Sequence, residues 1–196
     1  MSTRVLVLPG YSTSDHATQV IRSSLALAGH TPHRWRLGRN EGPSPSTTAA
    51  LAERLEELHD RDGRPVALVG WSLGGLYAHW LAAATPHLVH SVTSLGSPLR
   101  SADRTPRRLA VPVTSVFTRG DRVVPWTMSL VDPTHPRHEN IEVRGTHLTL
   151  GIDPAVLWLI SDRVAQNPAT WRPFSPPFPF RLAYPTPDHV ASPPAA

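Results

Sequence analysis

The 196-residue chain contains no cysteine and no lysine. The absence of cysteine excludes thiol catalysis, thiolate zinc sites and iron–sulfur clusters. The absence of lysine excludes a Schiff base with pyridoxal phosphate. The 19 basic residues are therefore all arginine, and against 15 acidic residues they give a formal net charge of +4. They are scattered among the acids, so the sequence does not indicate a nucleic-acid partner.

Long hydrophobic runs are absent as well. The first apolar run, Val5 to Leu8, is closed by Pro9 and Gly10. It is far too short for a signal peptide or a membrane span. We therefore expect a cytoplasmic protein with no stable membrane insertion, whose length fits one domain with a core of its own.

Short apolar runs alternate with helical patterns along most of the chain. This alternation predicts an α/β fold with three layers: a mostly parallel central sheet of about six strands, and helices on both faces. The predicted strands cover 5–8, 31–37, 66–69, 89–95, 111–117 and 140–143, and the helices 17–28, 47–59, 74–84 and 154–165. Helix starts are predicted at Asp15, Ser46 and Asp153, which are residue types that cap helices.

Two segments outside this alternation bear on the domain organisation: a short polar connection and a proline-rich tail. The connection 97–104 is short and polar, which leaves no room for a cap domain and predicts an open site. Nine prolines follow Asn167, so we divide the chain into a catalytic domain, 1–170, and a proline-rich tail, 171–196. The tail's aromatic residues could hold its first half against the domain. Alternatively, the tail is a polyproline ligand for a partner.

The segment Gly70 to Gly75 contains the pattern Gly-x-Ser-x-Gly between an apolar run and an amphipathic helix. A serine on a tight strand-to-helix turn is exposed for nucleophilic attack, and its crowded backbone accepts only glycine on either side. The pattern therefore predicts Ser72 as a nucleophile.

Two later strands end in residues that could complete a catalytic triad. Asp121 follows the strand that ends at Phe117, and His147 follows the strand that ends at Val143. The order serine, acid, histidine predicts His147 as the general base and Asp121 as the acid that orients it. Asp103 and Asp132 are alternative acids.

An acyl-transfer site also needs two backbone N–H groups for the oxyanion. We expect these from Leu73, which follows the nucleophile, and from Tyr11 in the loop after the first strand. His16 in that loop could line the pocket, although a capping or solvated role is favoured. His135 and His138 near Asp132 match no ligand motif, so no metal is expected.

With these parts in place, the chain resembles the α/β-hydrolase superfamily, and more narrowly its small, capless bacterial esterases and lipases of actinobacterial type. The resemblance extends from Val5 to Phe174 and rests on five motifs in the expected order: Leu8–Tyr11, Gly70–Gly75, Gly96–Pro98, Gly120–Val124 and Gly145–Leu148. The sequence departs from the pattern at Pro9 and Trp71, where many lipases carry histidine.

The resemblance implies cofactor-free hydrolysis of a small-molecule carboxylic ester through an acyl-serine intermediate. Two alternatives stay open. The same triad could serve a thioesterase, an acyltransferase or a carbon–carbon bond hydrolase, or the chain could be a non-catalytic binding scaffold with the same fold. The oligomeric state is also open at this stage.

Overall fold

The computed structural model describes residues 2–100 and 108–185. These residues form six strands and four α-helices: β1 (Arg4–Leu8), α1 (Gln19–Leu27), β2 (Thr31–Arg34), α2 (Pro45–Asp60), β3 (Val66–Trp71), α3 (Leu73–Ala84), β4 (Val89–Leu95), β5 (Val113–Phe117), β6 (His138–Glu142) and α4 (Pro154–Ala165). Three short 3₁₀ helices lie in the connections, and two more follow α4. No helix in these two ranges is both long enough and apolar enough to cross a membrane.

The six strands form one sheet in the order β2-β1-β3-β4-β5-β6, and all five strand pairs are parallel. The carboxyl ends of all strands therefore meet at one edge, which is where ligands bind in open parallel sheets. The connections that the structure describes at this edge are loops and 3₁₀ turns, with no inserted domain. The predicted fold class is confirmed. Asp103 and the rest of 101–107 lie outside the described residues.

Helices cover both faces of the sheet, as the alternation predicts. Successive residues of β1 point to opposite faces, so Leu6 and Leu8 join the core under α2 and α3, while Val5 and Val7 join the core under α1 and α4. The central strands β1, β3, β4 and β5 are buried almost throughout. They form the rigid platform from which the loops of the carboxyl edge project.

One of the three predicted helix starts is confirmed. Asp153 caps α4 by accepting from the N–H groups of Ala155 and Val156. The prediction for α2 is displaced by two residues, because Pro45 occupies the first turn and Ser44, not Ser46, accepts the Thr47 N–H.

The prediction that Asp15 starts α1 is wrong. The helix begins at Gln19, and its first turn has no side-chain cap. The Asp15 carboxylate instead accepts from the backbone N–H groups of Trp35 and Arg36, at 3.0 and 3.3 Å. Asp15 therefore joins the loop after β1 to the segment after β2.

The described part of the tail, 171–185, lies along α4. Trp158 packs between Phe174 and Phe180, with ring centroids 5.6 and 5.7 Å away. The Tyr184 hydroxyl donates to the Ala155 carbonyl at 2.9 Å. The domain boundary at 170 and the polyproline interpretation stay predictions, and residues 186–196 lie outside the described residues.

Candidate active site

Ser72 lies on the sharp turn between β3 and α3. Its backbone has φ 55° and ψ −123°, a conformation that non-glycine residues rarely adopt. Its N–H donates to the carbonyl of Leu95 at 2.8 Å. A β-carbon added to Gly70 would lie 2.3 Å from the Gly75 nitrogen, and one added to Gly74 would lie 2.2 Å from the Leu8 carbonyl oxygen. The close approach of backbone to backbone therefore requires glycine at both positions.

Asp121 and His147 are hydrogen-bonded to each other at the same edge of the sheet. The distance from His147 Nδ1 to Asp121 Oδ2 is 2.7 Å, and both side chains are buried. The other carboxylate oxygen, Oδ1, accepts from the N–H groups of Val123 and Val124, each at 2.8 Å. Since a carboxylate only accepts, Nδ1 of His147 donates, and Nε2 of the neutral ring carries the lone pair.

The end of β4 lies between the serine and the acid–base pair. A β-carbon added to Gly96, which has φ 53°, would lie 3.0 Å from Asp121 Oδ2 and 3.1 Å from His147 Nδ1. The preceding residue, Leu95, accepts the Ser72 N–H. The structure thus brings all three predicted residues to one place. The hydrogen bonds of the described residues include none between the Ser72 hydroxyl and His147, a contact that often tightens only when substrate is bound.

The loop that carries His147 is held by two further side chains. The Trp71 indole N–H donates to the His147 carbonyl at 3.2 Å. The Thr118 hydroxyl donates to the Gly145 carbonyl at 2.9 Å. The sequence analysis missed both contacts, because a donor that acts on a backbone carbonyl far along the chain leaves no local signal.

The loop after β1 lies directly beside Ser72. A β-carbon added to Gly10 would lie 3.1 Å from Ser72 Cβ and 3.7 Å from its hydroxyl oxygen. Across the described ranges, neither the Tyr11 N–H nor the Leu73 N–H donates a hydrogen bond to the protein. Among the described residues, both predicted oxyanion donors therefore keep an N–H group that is free to bind a substrate oxygen.

The alternative residues have other environments. The Asp132 carboxylate binds the Arg108 side chain at 2.8 Å and the Thr134 hydroxyl at 2.7 Å. His16 is exposed, and the His135 and His138 rings lie 3.9 Å apart. In the part of the chain that the structure describes, no group of three or more metal-binding side chains could hold a metal ion.

Comparisons with known proteins agree with this fold. A sequence family described as the alpha/beta hydrolase fold matches residues 8–152. Mouse lysosomal phospholipase A and acyltransferase is 35% identical over 85 residues, which cover 40% of this chain and 20% of the mouse protein. Aspergillus fumigatus lipase B superposes with a TM-score of 0.67 at 15% identity, over 85% of this chain and 53% of the lipase.

The thioesterase domain of the curacin biosynthetic pathway superposes with a TM-score of 0.61 at 13% identity, over 84% of this chain and 91% of that domain. At such identities, lipase B and the thioesterase domain each share only the fold with this chain. This chain spans a fifth of the mouse enzyme and about half of lipase B. From the family match over most of its length, we conclude that the chain belongs to the α/β-hydrolase family.

Proposed function

We propose that the protein is a small, capless serine hydrolase of the bacterial esterase and lipase type, which cleaves carboxylic esters through an acyl-serine intermediate. One observation carries the proposal. Ser72 occupies a strained turn at the sheet edge where His147 and Asp121 are hydrogen-bonded at 2.7 Å. A buried acid–base pair beside a half-buried serine is the arrangement that acyl transfer needs.

In the first half of the proposed reaction, the Ser72 hydroxyl oxygen attacks the ester carbonyl carbon, and His147 Nε2 takes the hydroxyl proton. Asp121 keeps the other proton on Nδ1 and stabilises the imidazolium. The carbonyl oxygen, now negative, accepts from the Leu73 and Tyr11 N–H groups. The imidazolium then gives its proton to the leaving alcohol, and the acyl group remains on Ser72.

In the second half, water replaces the alcohol. His147 takes one of its protons as the water oxygen attacks the acyl carbon, and the same two N–H groups hold the oxyanion. Collapse of the tetrahedral intermediate releases the acid and returns the proton to Ser72.

The surroundings of Ser72 suggest the class of ester. Tyr11, Val123 and Leu148, from the loops that carry the three parts of the site, are each more than 60% exposed. An open apolar rim suits small or accessible acyl groups, and it predicts no lid-dependent activation at a lipid interface. A jump in rate at the critical micelle concentration of the substrate would contradict this expectation.

Thioesters are the second candidate substrate. The same serine, base and oxyanion donors serve either leaving group, and the curacin thioesterase domain shares the fold over 84% of this chain. A panel of matched oxyesters and thioesters with the same acyl group separates the two candidates by their kcat/KM values.

The decisive test is hydrolysis of p-nitrophenyl esters from acetate to palmitate by the wild type, Ser72→Ala and His147→Ala. Each substitution is expected to lower kcat by a factor on the order of 10³ or more, because the residues act as one unit. Ser46→Ala and His87→Ala, at exposed positions, are the matched controls and should keep wild-type rates. A wild type that turns over no ester, and whose Ser72 is not labelled by a fluorophosphonate, would favour the non-catalytic scaffold.

A further inference from the structure

The loop that offers the Tyr11 N–H has no regular secondary structure, yet one of its peptide groups is firmly oriented. The Gly10 carbonyl accepts two hydrogen bonds from Thr13, from the hydroxyl at 2.8 Å and from the backbone N–H at 3.3 Å. In a trans peptide the N–H points opposite to the carbonyl. The Thr13 hydroxyl, by holding the Gly10 carbonyl, therefore sets the direction of the Tyr11 N–H.

Asn40 binds the same loop on both sides of that peptide group. It is completely buried. Its backbone carbonyl accepts the Ser12 N–H at 2.7 Å, and its backbone N–H donates to the Thr13 carbonyl at 2.8 Å. Its side-chain amide donates to the Pro9 carbonyl at 2.9 Å. The backbone before and after Gly10 and Tyr11 is thus fixed to one residue, 31 positions from Pro9.

The Asn40 side chain is itself held in one orientation. Its Oδ1 accepts from the Tyr77 hydroxyl at 3.0 Å and from the Gly42 N–H at 3.1 Å. Burial raises the pKa of Tyr77 to about 12, so this hydroxyl stays protonated and donates. Two donors on the oxygen side leave the amide nitrogen facing Pro9.

Tyr77 connects the loop after β1 to α3 through its hydrogen bond to Asn40. Tyr77 lies on α3, whose first residue is Leu73. The helix that begins with one proposed oxyanion donor therefore also fixes, through Tyr77 and Asn40, the loop that carries the other donor. The distance between the two N–H groups depends on this chain of hydrogen bonds.

We propose that Thr13 and Asn40 are positioning residues for the oxyanion site, which aim the Tyr11 N–H at the substrate oxygen without touching the substrate. The inference rests on the proposed function. Removing one oxyanion donor costs about 10²–10³ in kcat, and a misplacement of about 1 Å costs about 10²-fold. Loss of either positioning contact should lower kcat by about 10- to 100-fold.

The test uses three variants of the full chain. Thr13→Val keeps the shape but removes the hydroxyl, and Thr13→Ser restores the hydroxyl. Asn40→Asp replaces the donor to the Pro9 carbonyl with an oxygen atom. We expect Thr13→Val and Asn40→Asp to lower kcat by about 10- to 100-fold, with KM within about threefold of wild type. Thr13→Ser should keep kcat within about threefold of wild type.

Asn140→Asp is the matched control. Asn140 uses its side-chain amide in the same way on another loop, accepting the Val131 N–H at 2.8 Å and donating to the Val131 carbonyl at 3.0 Å. It should lose thermal stability as Asn40→Asp does while keeping wild-type kcat. An alkyl boronic acid, which forms a tetrahedral adduct on serine, supplies a second readout: its affinity should fall in parallel with kcat for Thr13→Val and Asn40→Asp alone.

The outcomes separate this inference from the proposed function. If the wild type hydrolyses esters and both variants keep wild-type kcat and boronate affinity, the positioning role is overturned and the hydrolase remains. Equal losses of kcat in Asn140→Asp would also overturn it, since they would show a general effect of stability. A wild type with neither turnover nor fluorophosphonate labelling overturns both. If Asn40→Asp fails to fold, the comparison of Thr13→Val with Thr13→Ser decides.

Discussion

The two halves of the site are built by different means. In the half that carries Ser72, the backbone itself does the positioning. Ser72 has φ 55°, its N–H is bonded to Leu95, and Gly70 and Gly74 leave no space for a β-carbon. No side-chain hydrogen bond in the described residues holds the serine.

In the half that carries Asp121 and His147, side chains do most of this work. The Asp121 carboxylate binds both its own loop and the histidine, while Thr118 and Trp71 hold the histidine loop. One close approach also occurs, since a β-carbon on Gly120 would lie 2.3 Å from the Gly145 carbonyl oxygen. A half built from backbone should fail abruptly when an atom is added, whereas a half built from side-chain contacts should lose function in steps.

The largest of these steps is expected for Asp121→Asn. The amide oxygen can still accept from Val123 and Val124, but its NH₂ group would favour the imidazole tautomer with the proton on Nε2, which cannot accept from serine. We expect kcat to fall by about 10³–10⁴ with little change in melting temperature. Asp132→Asn, the same change at the alternative acid, should keep kcat within about threefold. Equal losses in the two variants would remove Asp121 from its proposed role.

The next prediction addresses the other half. In Gly74→Ala the new β-carbon would lie 2.2 Å from the Leu8 carbonyl oxygen, and neither backbone segment can move freely. We expect at least about 3 kcal/mol of lost unfolding free energy in urea titrations, or no folded protein. Gly29→Ala is the control, because Gly29 has φ 85° and nothing within 4 Å of its added β-carbon. It should cost about 1–2 kcal/mol, from backbone strain alone. Similar costs at both positions would contradict the close approach as the cause.

Features that depend on neighbouring residues could be predicted from the sequence, whereas contacts between distant residues could not. The bounds of β4 and α4 agree with the predicted ones, since an unbroken apolar run and an Asp-Pro start are local signals. The meeting of Ser72, Asp121 and His147 could be predicted from topology, because the carboxyl ends of parallel strands share one edge.

The side-chain contacts that orient the site could not be predicted from local sequence patterns or from topology. The Trp71–His147 bond joins residues 76 positions apart, and the Asp15 carboxylate binds Trp35 rather than the nearby helix. Polar side chains of this kind choose among many partners that only the folded chain brings near. Residue type alone favoured a helix cap for Asp15 and indicated no partner for Trp71, so the sequence could not predict these contacts.

A third prediction concerns α3, the helix that leads away from Ser72. His79 on this helix is 7% exposed, and its Nε2 has no hydrogen-bond partner in the described residues. Burial lowers its pKa to about 3, with a further contribution from the charge of His138 at the start of β6. Since the unfolded residue has a pKa of about 6.5, the unfolded state takes up a proton that the folded state refuses. The contribution of His79 to the unfolding free energy is therefore fully present above pH 6.5 and is lost progressively as the pH falls towards 3.

His79→Gln removes this proton uptake. Between pH 7 and pH 5, the wild type should lose about 2 kcal/mol more unfolding free energy than His79→Gln, as measured by urea titration. His87→Gln, at an exposed position, should keep the wild-type slope against pH. Parallel slopes for the wild type and His79→Gln would show that His79 is not protected from protonation in the folded state.

The smallest effect is expected for Trp71→Phe, which tests whether the side-chain half loses function in steps. The phenyl ring can still pack against the apolar core under α1 and α4, but the hydrogen bond to the His147 carbonyl is lost. A neutral hydrogen bond of this kind contributes about 0.5–1.5 kcal/mol, so we expect kcat/KM to fall by about two- to tenfold. Trp158→Phe, the same change under the tail, should leave kcat/KM at the wild-type value. If Trp71→Phe instead lowered kcat by about 10³ or more, as Asp121→Asn should, the histidine loop would depend on this single donor, and the two halves would be equally intolerant of change.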